Sequence, residues 1–106
     1  MGRERSIMKA LADFKERLSK KIKVQKMILF GSYARGEPKE DSDVDLLIVS
    51  PDFKKTRFIK RSLGFYKLWS LDLPVDYICF SPEEFEKQKK RISIVSTALE
   101  EGVEIA

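Results

Sequence analysis

Apolar residues recur at helical spacing near the start of the chain. Ile7, Leu11, Phe14, Leu18 and Ile22 fall on one stripe with Lys, Arg and Glu between them, which predicts an amphipathic helix over 4–21. The pattern then changes to short continuous apolar runs. MILFGS at 27–32 reads as a buried strand broken by Gly31, and YARGEPKEDSD, punctuated by Gly36 and Pro38, reads as a loop with Lys39 and Glu40 at a solvated tip. VDLLIVS at 44–50 is a second buried strand stopped by Pro51, and VDYICF at 75–80 a third.

Between them, residues 55–71 suggest a basic helix with Phe58, Ile59, Leu63, Tyr66 and Trp69 on its apolar side, although Gly64 is a poor helix former. Ser81-Pro82-Glu83-Glu84 announces another helix, with Ser81 as N-cap, Pro82 in the first turn and Glu84 closing a capping box. It is interrupted near Arg91, runs toward Glu101 and stops at Gly102, after which residues 103–105 add a short edge strand. The order α-β-β-α-β-α predicts an α/β (α+β) domain. An antiparallel pair forms from the first two strands, and the third completes a small mixed sheet with helices packed on it.

Composition narrows the class. With 106 residues, 42% apolar and 36% charged, the chain suits one soluble domain, 1–106, that folds without disulfides. The one cysteine, Cys79, lies in an apolar run and reads as a buried, inert thiol. There is no histidine, so a Ser–His triad, a histidine base and a histidine metal site are all excluded. No apolar run is long enough to span a membrane and GRERSIMK lacks a signal-peptide core, so a cytoplasmic protein is expected. A formal charge of +4 permits an anionic ligand without requiring one.

Two anomalies carry the chemistry. Asp43 and Asp45 sit at the mouth of a buried strand and, by alternation, point to one side, their Cα atoms about 6–7 Å apart. Carboxylates so placed can converge on a hard divalent cation such as Mg²⁺, which cancels their repulsion. The plainer alternative is that Ser42 and Asp43 cap a turn and Asp45 lies on a solvated edge. The second anomaly is Gly31-Ser32 at a strand end, where glycine lets backbone approach a phosphate and the Ser32 hydroxyl can donate to it. Together they describe a phosphate cradle facing a metal site across one loop.

GSYARGEPKEDSDVDLLIV resembles the signature of the minimal nucleotidyltransferases, the smallest members of the DNA polymerase β-like nucleotidyltransferase superfamily. Gly31, Ser32, Ala34, Arg35, Gly36, Ser42, Asp43, Asp45 and Leu46 fall on the pattern in register. The specific motif covers about Phe30 to Val49, while the order of elements agrees over nearly the whole chain. The resemblance implies a nucleotidyltransferase fold and a third carboxylate on a later strand, for which Asp76 is placed. It implies a nucleoside triphosphate, with ATP the favoured case, whose phosphates lie against Gly31 and Ser32, with Arg35 and Ser42 as further nucleotide-binding residues. Arg35 either contacts phosphate or shapes the loop. Asp43, Asp45 and Asp76 would hold two Mg²⁺, and Asp76 would help deprotonate an acceptor hydroxyl. The family commonly pairs with a small helical HEPN-type protein, in some pairs as an antitoxin that adds AMP to a tyrosine of the toxin; a homo-oligomer is left open.

Two other readings stand beside the enzyme. One is a non-catalytic module that neutralises its partner by contact. The other is an RNA-binding module using the basic, aromatic segment 54–67. The plainer reading of that segment, a solvated helix face with its apolar side in the core, is preferred, which makes nucleic acid an unexpected partner.

Overall fold

The protein is described by a computed structural model covering residues 2–38, 42–91 and 94–105. Helix α1 spans Gly2–Ser19, and strands β1 (Lys26–Phe30) and β2 (Val44–Val49) follow. After a long connector come β3 (Val75–Phe80), α2 (Pro82–Lys89), α3 (Ile94–Glu101) and β4 (Val103–Glu104). The sheet order is β3-β2-β1-β4. β1 pairs antiparallel with β2 and with β4, and β2 pairs parallel with β3. The mixed sheet, the antiparallel first pair and the short edge strand all follow the sequence expectation. Among the described residues no helix is long and apolar enough to cross a membrane.

Alternation along the central strands builds two cores. Met27, Leu29, Val44, Leu46 and Ile48 point to one face and meet Ile7, Leu11, Phe14 and Leu18 of α1. Ile28, Phe30, Leu47 and Val49 point to the other and meet Phe85 of α2 and Val95 and Ala98 of α3. Every side chain of β1 and β2 past its first positions is therefore covered, which explains why both strands read as unbroken apolar runs. α2 starts with the capping box the sequence announces: the Ser81 hydroxyl accepts from the Glu84 amide and the Glu84 carboxylate accepts from the Ser81 amide at 2.8 Å. α2 ends at Lys89 and α3 begins at Ile94; the interruption predicted near Arg91 runs into residues 92 and 93, which lie outside the described set, as do Lys39 and Glu40. Gly102 stops α3 where no side chain fits, since a Cβ would lie 2.2 Å from the Ala98 carbonyl oxygen and 2.5 Å from Ile28.

The predicted helix over 55–71 is not formed. Three short 3₁₀ turns occupy Pro51–Lys55, Phe58–Lys60 and Phe65–Lys67, separated by turns, with Gly64 left-handed at φ 86°. The α1 face of the sheet is already mostly covered, so a full helix would have little to bury its stripe against. The connector instead inserts single side chains, Phe53 and Phe65, beside half-buried Leu68 and Trp69. Arg61 pins it, donating to the carbonyls of Thr56 at 3.0 Å and Cys79 at 3.1 Å and pairing with Glu84. Four of the five residues assigned to the apolar side, Phe58, Ile59, Leu63 and Tyr66, are exposed. Cys79 is buried as expected, and burial pushes its thiol up to about 12 against the opposing pull of Arg61.

Aromatic rings tie the connector to α1 and β3. Phe14 stacks on Tyr77 at 5.7 Å and meets Trp69 edge-on at 5.3 Å, and Phe65 meets Tyr77 edge-on at 5.3 Å. The Tyr77 hydroxyl is sealed among these rings with no hydrogen-bond partner among the described residues. A buried hydroxyl without a partner costs about 1–3 kcal/mol. Tyr77→Phe is therefore expected to hold or gain stability, by up to about 1 kcal/mol, in urea unfolding. A clear loss would mean that the hydroxyl has a partner.

Candidate functional site

The site lies where β1 ends and β2 and β3 begin. β2 and β3 run parallel in a register that sets Asp45 directly opposite Asp76. Asp45 shares its face with Leu47 and Val49, and Asp76 with Ile78 and Phe80, so both carboxylates project from the α2/α3 side of the sheet, past the end of the helical cover. Asp43, one residue before β2 and exposed, precedes Asp45 by two positions.

β1 arrives antiparallel, with Phe30 opposite Asp45. The next residue, Gly31, has φ 78°, and a Cβ built on it would lie 2.2 Å from Asp45 Oδ2. Glycine is required here twice over: for the left-handed backbone and for the space that the carboxylate fills. Its carbonyl then accepts from the amides of Ala34 and Arg35, each at 3.1 Å, and the Ser32 carbonyl accepts from Glu37 at 2.9 Å. The chain thus turns like the start of a helix, and the amides of Ser32 and Tyr33 donate to no backbone carbonyl among the described residues. Amides so placed are suited to an anion.

The electrostatics belong to the group as a whole. Burial pushes the Asp45 carboxyl up from its ordinary 3.8, the charges of Asp76 and Asp43 push it the same way, and Arg35 pulls it back. A carboxyl raised in the folded state is stabilising when protonated, and that stability is lost as pH climbs above 3.8 through the raised value. In chelator-treated protein, Asp45→Asn should therefore unfold at a higher temperature than the parent at pH 7. The advantage should vanish below pH 3.8, where Asp45 is neutral in both states. A parent that is the more stable at pH 7 would refute the mutual repulsion.

Among the described residues no three acidic, cysteine or histidine side chains are gathered closely enough to hold a metal ion unaided. The residues present nonetheless fit a hard divalent cation. The donors are all carboxylate oxygens, they repel one another across one strand pair, and Asp45 Oδ2 occupies the space above a glycine, where a Cβ would displace it.

Of the predicted nucleotide-binding residues, Gly31 and Ser32 form the turn beneath Asp45, and half-buried Ser42 leads into Asp43. Arg35 lies close enough to bias Asp45, yet its guanidinium pairs with Glu101, at the end of α3, at 3.2 Å. Glu101 was not picked out from the sequence, and nothing local could have done so, because the two residues are 66 positions apart. A cleft of about 340 Å³ lies behind the loop, lined by Ile7, Met8, Leu29, Tyr33, Pro38 and Val103 among others. It contains none of the three carboxylates and opens on the α1 side of the sheet.

Residues 11–103 match the model of the nucleotidyltransferase domain. A chain of Methanocaldococcus jannaschii named “Putative protein adenylyltransferase MJ0141” is 33% identical over 93% of this chain and 98% of its own length. Another from that organism, “Putative protein adenylyltransferase MJ0604”, is 38% identical over 89% of this chain and 92% of its own. “Protein adenylyltransferase MntA” of Thermococcus cleftensis is 50% identical over 36% of this chain and 38% of its own length. A solved structure from Sulfolobus solfataricus, described as a “putative nucleotidyltransferase”, superposes with a TM-score of 0.62 over 79% of this chain and 75% of its own, at 24% identity.

Proposed function

The chain belongs to the nucleotidyltransferase domain family, as an adenylyltransferase, and from that premise we propose that it transfers AMP from ATP to a tyrosine hydroxyl of a small HEPN-type helical protein, acting in the cytoplasm as the antitoxin of that pair. The observation that carries the reading is the facing of Asp45 and Asp76 across β2 and β3 with Gly31 beneath Asp45. The relatives' names support adenylyl transfer. Residues 1–106 are read as one catalytic domain that docks on its acceptor protein.

In this reading the triphosphate lies against the turn at Gly31 and Ser32. The Ser32 amide and hydroxyl and the Tyr33 amide donate to its oxygens, and Ser42 adds a further contact. Arg35 exchanges its partner Glu101 for phosphate. Asp43, Asp45 and Asp76 would hold two Mg²⁺, which supply charge neutralisation for the attacking and leaving oxygens when bound. Asp76, the most open member of the facing pair, accepts the proton of the incoming hydroxyl, whose oxygen attacks the α-phosphorus. Pyrophosphate leaves and AMP remains on the acceptor.

Incubation of a HEPN-type protein with this chain, ATP and Mg²⁺ tests the proposal by mass spectrometry. One AMP on a tyrosine, absent without the chain, is the expected product. An acceptor of unchanged mass beside a chain shown to bind ATP would overturn it.

A further inference from the structure

The connector between β2 and β3 leaves an anomaly that nucleotidyl transfer does not use. From 53 to 71 the sequence holds six cations, Lys54, Lys55, Arg57, Lys60, Arg61 and Lys67, and no acidic residue. Because the predicted helix does not form, large apolar side chains stand among these cations in solvent. Ile59 is 82% exposed, Tyr66 73%, Leu63 72% and Phe58 54%. Four large apolar residues exposed within residues 58–66 are more than the single, scattered surface hydrophobes that are ordinary.

Leu63 also borders a groove of about 550 Å³ whose floor includes buried Leu18 and half-buried Ile22 and Leu68 and whose rim includes exposed Lys21, Lys60 and Lys67. Asp52, the acid that also borders it, accepts from the Lys23 amide at 2.8 Å. Lys54 and Arg61 are paired with Glu83 and Glu84, whereas Lys55, Arg57, Lys60 and Lys67 have no ion pair among the described residues. Apolar floor and unpaired cationic rim together match an amphipathic segment that carries carboxylates around apolar anchors.

We propose that the groove bordered by Lys60, Leu63 and Lys67 is a docking site for an acidic amphipathic segment of another protein. Three observations favour this occupant over others. The most exposed of the four, Ile59, is aliphatic and offers no plane on which a base could stack. The Arg61 guanidinium lies 5.5 Å from the Phe58 ring and the Lys67 ammonium 6.0 Å from that of Tyr66, so a base stacking on either ring competes with a cation for one of its faces, which argues against RNA. A second copy placing the same face against this one would set cation on cation. The other exposed large apolar residues among those described, Leu99 and Val103, adjoin Glu101 and Glu104, which are already paired with Arg35 and Lys26.

The groove lies on the α1 face of the sheet, away from the carboxylates, so docking leaves the nucleotide site open. As the means of holding the acceptor protein it rests on the proposed AMP transfer; the binding itself does not.

The test therefore omits nucleotide. The parent chain is titrated with a synthetic helical peptide carrying leucines at i, i+4 and i+7 and glutamates elsewhere, with its lysine-for-glutamate twin, and with oligouridylate. Amide shifts locate each ligand, and a dilution series reads self-association. The acidic peptide is expected to bind in the range of about 10–100 μM, to shift residues 57–67, and to weaken with salt. Leu63→Glu should weaken it at least about tenfold, and because Leu63 is 72% exposed that variant should keep the parent's fold. The lysine twin should not bind. An acidic peptide that binds no better than its twin, or equally to Leu63→Glu, overturns the proposal. So does oligouridylate, or a second copy of the chain, occupying residues 57–67. Docking without any AMP transfer would leave this inference standing and remove the proposed reaction. AMP transfer by a chain that fails the peptide test would do the reverse.

Discussion

Asp76→Asn is expected to bind ATP as the parent does and to transfer AMP about 10²–10⁴ times more slowly, the range that general-base assistance contributes. Asp76 is exposed at the start of an edge strand, so an isosteric amide disturbs no packing there. Asn keeps a carbonyl oxygen at that place but cannot take a proton from an acceptor hydroxyl and carries no charge for a cation. Asp43 and Asp45 remain, so triphosphate binding should survive. Asp43→Ala and Asp45→Ala, by contrast, should lose transfer altogether in a fold that is intact. Calorimetry of ATP beside single-turnover AMP transfer separates the cases. Retained binding with lost transfer supports the assignment, and full transfer by Asp76→Asn would make Asp76 a bystander opposite Asp45.

Gly31→Val should cost both structure and activity. Its Cβ would start 2.2 Å from Asp45 Oδ2, and valine would be held at φ 78°. A non-glycine residue in that region costs about 1–3 kcal/mol, with β-branched residues at the upper end. The carboxylate must also swing away from its place opposite Asp76. A displacement of about 1 Å at a reacting centre lowers the rate by about 10². The expected outcome is a folded protein of lower urea midpoint with transfer reduced at least about 10²-fold and weaker ATP binding. Parent-like transfer from a folded Gly31→Val would count against the cradle. Gly31→Ala, which meets the same carboxylate with a smaller group, should fall between the two.

The chain states its local structure plainly. The capping box at Ser81 and Glu84, the stripe from Ile7 to Leu18 and the unbroken apolar runs of β1 and β2 each depend on neighbours within a few positions, and each forms as read. Gly31 and Asp45 were legible as anomalies because glycine at a strand end and charge in an apolar run both conflict with burial. Their direct contact was not, since it depends on how β1 registers with β2. Asp76 was picked out by resemblance alone; its place opposite Asp45 depends on β3 entering parallel to β2. The pairing of Arg35 with Glu101 likewise arises only when α3 returns to the end of the sheet.

The connector shows the same division most clearly. Its period is helical, and periodicity reports which residues could share a face, but not whether a vacant apolar surface exists to receive that face. Here α1 covers most of it, so Phe53 and Phe65 enter the core singly and Ile59, Leu63 and Tyr66 turn to solvent. Amphipathic pattern is a property of the sequence, whereas the space that satisfies it belongs to the assembled fold.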